Sequence, residues 1–332
     1  MSGRPDARCA AAYDQRFQPL VGLWRGEAVE CVHRGVIAVV DSEGRPRGGF
    51  GDPATAVPLR SAAKPFQAAA VVQSGAVDAF GVTLEELAVM AGSHAGQAQH
   101  VRAVRSLLAR AEAAEDVLVC GPPVHMCSGK HAGMILLARQ LGVPVDGYEQ
   151  PEHPVQQYIG AFVARLLAAP AGDRDSLSSL VEFDGAASPG SPAHPGSPAP
   201  SLFVGIDGCG VPVLRLRAEQ VAWLFARLAA GALPALARVR DAMLAHPEMV
   251  AGRSRLDTRL MCAAPGKVIA KGGAEGVQGL ALSVGVDGAA VLGWAIKIED
   301  GSGRPLPLLI RACLQAGGID LPPHALEQTL PR

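Results

Sequence analysis

The sequence lacks a charge surplus of either sign. Its 332 residues carry 30 Lys and Arg against 31 Asp and Glu, a formal net charge of -1. No basic excess points to a nucleic-acid partner, and no acidic run points to a solvating tail. Charged residues make up only 18% of the chain and hydrophobic ones 49%, enough for a sizeable buried core. Met1 to Phe17 lack the apolar stretch of a secretory signal. No run reaches the ~18 uninterrupted apolar residues of a membrane span, because Arg, Glu or Gln interrupts the long Ala-rich runs. There is no internal repeat. Cysteine shows no pairing pattern: the 7 residues (Cys9, Cys31, Cys120, Cys127, Cys209, Cys262, Cys313) are odd in number and scattered. Reduced thiols in the cytoplasm are therefore expected.

Glycine and proline, by contrast, are generous at 39 and 26 residues, so turns are many. Residues 1–20 are expected to be loosely ordered, ahead of one catalytic domain over 21–332. Val and Ile alternate in part from Glu27 to Val40, Asp41–Gly44 turns, and Arg45–Phe50 returns, which predicts a hairpin. Helices are expected at about 61–73, 84–91 (capped by Thr83), 100–115, to Leu141, 153–167, 219–230 and 233–245. The Ser/Pro-rich stretch at about 184–200 cannot build a core and reads as a flexible surface loop. Lys267–Gly272, Val277–Val286 and Ala289–Glu299 are apolar, β-rich and divided by Gly/Asp turns. They predict antiparallel strands, followed by a last helix at about 307–315. The fold class is therefore α+β: one antiparallel sheet shared by both chain ends, flanked by helices, with a helical subregion. Trp24, Trp223 and Trp294 read as core.

Arg60-Ser61-Ala62-Ala63-Lys64-Pro65 reads R-S-x-x-K-P. Residues three apart on a helix share a face, so Lys64, if neutral, can take the proton of the Ser61 hydroxyl. Burial or a nearby cation would lower its pKa enough. Ser-x-x-Lys enzymes add a polar residue on a helical-region loop and a Lys before small residues on an edge strand. Ser93, in Gly92-Ser93-His94-Ala95-Gly96, and Lys271-Gly272-Gly273 fill those places in order. A second grouping is Cys127 and Lys130, one helical turn apart, with Asp207 and Cys209 on a glycine turn. Two Cys with nitrogen or water completing a tetrahedron suit zinc; free Cys is more commonly a small buried hydrophobe.

Longer motifs follow the same order. They include Cys127-Ser128-Gly129-Lys130-His131-Ala132-Gly133-Met134, Gly205-Ile206-Asp207-Gly208-Cys209-Gly210-Val211-Pro212, and Ala270-Lys271-Gly272-Gly273-Ala274-Glu275-Gly276. Asp257-Thr258 and Lys297 through Asp300-Gly301 also fall in this series. From about Glu27 to Leu314 the chain resembles the Rhizobium etli-type L-asparaginases of the asparaginase II family. The resemblance implies a serine β-lactamase/glutaminase-like fold, a homodimer, and hydrolysis of L-asparagine to aspartate and ammonia. It places two Ser–Lys tandems at Ser61/Lys64 and Ser93/Lys271, and zinc on Cys127, Lys130 and Cys209 with Asp207 beside it. The chain departs from the pattern in its short Cys120–Cys127 segment, in Gln97 where a Glu is usual, and in the added Ser/Pro loop. These departures bear on substrate range and rate more than on fold.

The expected chemistry is acyl transfer. Ser61 attacks the side-chain amide, Lys64 takes its proton, Ser93 and Lys271 support the transfer, and water hydrolyses the ester. Arg60, His94, Asp207 and Gly272 are expected to bind substrate. The partner is a small molecule, with no nucleic acid and no membrane. Two alternatives stand. One is a glutaminase or other small-amide hydrolase. The other is a non-catalytic zinc- or amino-acid-binding protein on the same scaffold.

Overall fold

The computed structural model describes residues 15–169, 202–284, 290–322 and 326. The expected Ser/Pro loop at 184–200 and the start of the chain lie outside these residues. The opening hairpin forms from β2 (Ala28–Asp41) and β3 (Pro46–Phe50), preceded by β1 (Gln18–Arg25). β1 begins inside the stretch expected to be loosely ordered, because its residues pair with the outer half of β2, from Gln18↔Gly35 to Arg25↔Ala28.

Two short strands follow at β4 (Ala56–Pro58) and β5 (Phe203–Ile206), and both pair with β6 (Pro212–Arg217) in a small second sheet. The closing strands β7 (Val268–Gly273), β8 (Val277–Val284) and β9 (Ala290–Ile298) form an antiparallel meander. β9 then pairs with the inner half of β2, from Gly35↔Ile298 to Asp41↔Leu292. The large sheet runs β1-β2-β9-β8-β7, with β3 on the free side of β2. Both chain ends thus share one antiparallel sheet, as the pattern predicts. Val36 to Val40 are all buried, as befits the central strand of a covered sheet.

The helices are α1 (Lys64–Gln73), α2 (Ala76–Ala79), α3 (Leu84–Met90), α4 (Ala98–Arg110), α5 (Ser128–Gln140), α6 (Pro154–Ala168), α7 (Ala218–Ala230), α8 (Pro234–Ala245), α9 (Pro247–Val250), α10 (Leu256–Ala263) and α11 (Leu306–Ala316). α7 lies on the sheet at two glycines. A Cβ on Gly279 would sit 1.9 Å from the Phe225 ring, and one on Gly293 would sit 1.9 Å from the Ala222 carbonyl oxygen. Phe225 meets Phe66 of α1 edge to face at 5.3 Å, which ties the sheet layer to the helical subregion. α3 starts with the expected Thr83 cap, a full capping box with Glu86.

Trp24 departs from expectation. It lies near the end of β1, where that strand pairs with the outer half of β2, and it is 64% exposed. Trp294 is buried and Trp223 is half-buried. Among the described residues no single helix is long and apolar enough to cross a membrane.

Candidate functional site

Ser61 stands where a strand becomes a helix. β4 ends at Pro58, Leu59 N–H donates to the Leu214 carbonyl, and the chain turns through a 3-10 segment, Arg60–Ala63, into α1. Arg60 takes a left-handed φ of 50°, a conformation that costs a non-glycine residue about 1 kcal/mol or more. The end of β7 presses on this turn. A Cβ on Gly273 would come within 2.6 Å of the Leu59 carbonyl oxygen. The missing side chain therefore lets β7 bring Lys271 up to the Ser61 turn.

Lys64, at the first residue of α1, is fully buried. Its Nζ donates to Ser93 Oγ at 2.9 Å and also reaches the Met126 carbonyl and Cys127 Sγ, both at 3.3 Å. Burial lowers its pKa to about 8; Lys130 and Lys271 push the same way, and Cys127 opposes them. Lys271 is also buried. Its Nζ donates to the Gly272 carbonyl at 2.7 Å and pairs with Asp257 Oδ2 at 3.5 Å. Burial depresses its pKa as well, and Asp257 opposes the shift. The structure thus pairs Lys64 with Ser93, and Lys271 with Asp257. Ser61, Lys64, Arg60, Gln67, Lys130 and Asp207 line one cavity of about 10 Å³, roughly the volume one water needs.

Asp207 and Arg60 pair with each other. Arg60 Nε and Nη2 donate to Asp207 Oδ1 at 3.0 and 2.8 Å, and the Gly208 N–H donates to the same oxygen. Burial pushes the Asp207 carboxyl up, but the Arg60 hydrogen bond, the Gly208 N–H and nearby positive charge outweigh it and hold the carboxyl below its usual range. The Gly272 N–H is committed to the Asp257 carboxylate at 2.9 and 3.0 Å. His94 is buried and engaged on both sides: Nε2 donates to Ser128 Oγ at 2.9 Å, and Nδ1 accepts from the Gly96 N–H. Burial lowers its pKa to about 3, with help from His100 and Lys64, so the ring is neutral. In this arrangement it ties the Ser93 loop to α5.

Behind Lys64 lie two sulfurs. Cys209 hydrogen-bonds to Cys127, and this, with Lys64 and Lys130, outweighs burial and lowers Cys127 to about 5. Cys209 is raised by the same bond and by burial. Lys130 Nζ is 3.0 Å from Cys209 Sγ. His131 sits beside this pair, with Nδ1 2.7 Å from the Tyr148 hydroxyl and its ring also interacting with Cys209. Among the described residues, no group of three or more His, Cys, Asp and Glu is arranged to hold a metal ion. The nearest donor set is Cys127, Cys209 and the Lys130 amine. Sequence reasoning gave no role to Asp257, which ties Lys271, Gly272 and Gln278 together. Its only signal was a place inside a motif.

A family model described as L-asparaginase II matches residues 21–177 and 194–331. The chain belongs to the L-asparaginase II family. As an L-asparaginase II family member it is an amidohydrolase acting on a small-molecule amide. A probable glutaminase from Bacillus subtilis, solved in complex with 6-diazo-5-oxo-L-norleucine, is similar at 12% identity. The match covers 86% of this chain and 84% of that one, with a TM-score of 0.37. So slight a likeness carries no argument, and the α+β class rests on the strands and helices themselves. No curated protein matches the family member's sequence.

Proposed function

We propose that the chain hydrolyses L-asparagine to L-aspartate and ammonia through an acyl-enzyme on Ser61. The observation that carries this is Lys64: a fully buried amine, one turn from Ser61 in the same cavity, hydrogen-bonded to a second serine. A buried lysine of lowered pKa is a base. In the first step Ser61 Oγ attacks the side-chain amide carbon and its proton passes to Lys64. The C–N bond then breaks. Ammonia leaves with that proton, handed over through Ser93 Oγ. Water attacks the ester, loses its proton to Lys64 by the same route, and aspartate departs as Ser61 is reprotonated. Lys271, held by Asp257, supplies a second amine beside the turn. The Asp207 carboxylate, anchored by Arg60, faces the cavity where an α-ammonium group would bind.

Zinc belongs to the same proposal. Two sulfurs, one of them with a lowered pKa, and an amine form a chemically suitable donor set. Lys130 would have to bind as the neutral amine, and the metal would shape the pocket wall beside Lys64. The motif series supports placing the chain with the Rhizobium etli-type enzymes.

The test is ammonia release from L-asparagine and from L-glutamine by purified protein of measured zinc content. One methylene is worth about 1–3 kcal/mol of discrimination, so asparagine is expected to turn over at least tenfold faster in kcat/KM. Glutamine preference would overturn the substrate assignment. Full activity in zinc-free protein would remove the metal from the account.

A further inference from the structure

The outer half of β2 carries a second arrangement of reactive side chains, independent of the proposed hydrolysis. From Ala28 to Arg34 this strand pairs with β1 on one side only. Beyond the end of β9, the turn at Asp300 lies where a neighbouring strand would otherwise run, held by the Glu299 N–H to the Arg34 carbonyl. Strand alternation places Cys31 and His33 on the same face. His33 is 4% exposed, and its Nδ1 donates to Asp300 Oδ2 at 2.8 Å. In the neutral ring that bond puts the proton on Nδ1 and leaves Nε2 as the acceptor. Nε2 faces Cys31 Sγ at 3.9 Å, within reach of a sulfur hydrogen bond. Cys31 is half-buried, its thiol free. The order thiol, imidazole, carboxylate is the connectivity of an activated nucleophile: a base beside the thiol and a third group orienting the base. No hydrogen bond among the described residues links these three side chains to those of the Ser61 cavity.

We propose that Cys31 is a thiol-modification site, activated by His33 and oriented through Asp300, that reacts with low-molecular-weight disulfides. The Cys31 S–H gives its proton to His33 Nε2. The thiolate attacks one sulfur of the disulfide, that S–S bond breaks as the new one forms, and the departing thiolate takes the proton back from the imidazolium. Cys31 ends as a mixed disulfide, the reagent as one free thiol, and the oxidant is the disulfide itself. Asp300 is a positioning residue. Its other oxygen, Oδ1, accepts from the Ser302 N–H, so Asp300→Asn keeps the turn while removing the charge behind His33.

The experiment incubates the full chain with oxidised glutathione at pH 7 and follows each cysteine by peptide mass mapping. Cys262, which is exposed, is the reference thiol, and buried Cys313 reports on the fold by staying unmodified. Cys31 is expected to react about tenfold faster than Cys262 despite its lower exposure. His33→Gln and Asp300→Asn are each expected to bring it down to the Cys262 rate or below. If buried His33 cannot be replaced without exposing Cys313, Asp300→Asn decides alone. Reaction of Cys31 no faster than Cys262 in the wild type, or unslowed in Asp300→Asn, overturns the proposal.

Discussion

Taking a lysine amine out of water costs several kcal/mol unless it releases its proton or finds acceptors. Lys64 finds three acceptors and, with a pKa lowered to about 8, releases its proton readily. The residue type and the i, i+3 spacing from Ser61 were legible in the sequence, because one helical turn is a local property. The partner was not. Which serine meets which lysine depends on where the Ser93 loop and β7 come to rest. Those positions are set by groups remote in sequence: the His94–Ser128 bond, the Asp257 carboxylate under Gly272, and the bare backbone of Gly273 against Leu59. Replacing Lys64 with Met keeps the bulk and removes the base. A loss of about 10²–10⁴ in kcat is expected, the range of general base catalysis. Lys64→Arg should restore nothing, since a guanidinium does not give up its proton. Turnover within tenfold of wild type in Lys64→Met would place the base elsewhere.

Glycine inside a strand usually weakens it, and Gly279 and Gly293 sit inside β8 and β9. Their reason is tertiary. They form the contact through which α7 presses on the sheet, with Phe225 over one and the Ala222 carbonyl over the other. Gly279→Ala would drive its methyl into a ring that Phe66 holds from behind. Overpacking of this kind costs about 1–3 kcal/mol, and here the upper end is expected because the neighbour is buried. Urea unfolding measures it. Gly303→Ala is the control, since nothing lies within 4 Å of a Cβ there. Equal midpoints for the two variants would contradict the packing account. The three closing strands and β2 were legible because their apolar patterns are long, and β3 because it follows the Asp41–Gly44 turn. Of the small sheet only β5 was legible, in the strand-like run that ends at Val204; β4 has three residues and β6 opens on a proline, leaving little pattern to read. Trp24 was misread as core because residue type alone does not say that its strand lies at the edge of the sheet.

Across the whole molecule, the motifs lie far apart in sequence and gather around Lys64, where Arg60, Ser61, Lys64, Lys130 and Asp207 line a cavity and Ser93 and Cys127 bond to the Lys64 amine. Arg60 to Lys64 come from the strand-to-helix turn, Ser93 from a loop, Cys127 and Lys130 from the start of α5, Asp207 and Cys209 from the second sheet's turn, and Lys271 from the large sheet. The long motifs carried the family, which the family match then established. Substrate choice was not legible, because asparagine and glutamine differ by one methylene. The central claim is that Ser61 carries the acyl group. Its most direct measurement is to mix the protein with L-asparagine, quench with acid within the first turnovers, and map the peptide that holds the adduct. The account predicts an aspartyl ester on Ser61, absent from Ser61→Ala, which should also lose measurable ammonia release. An adduct on Ser93, or undiminished turnover by Ser61→Ala, would contradict it.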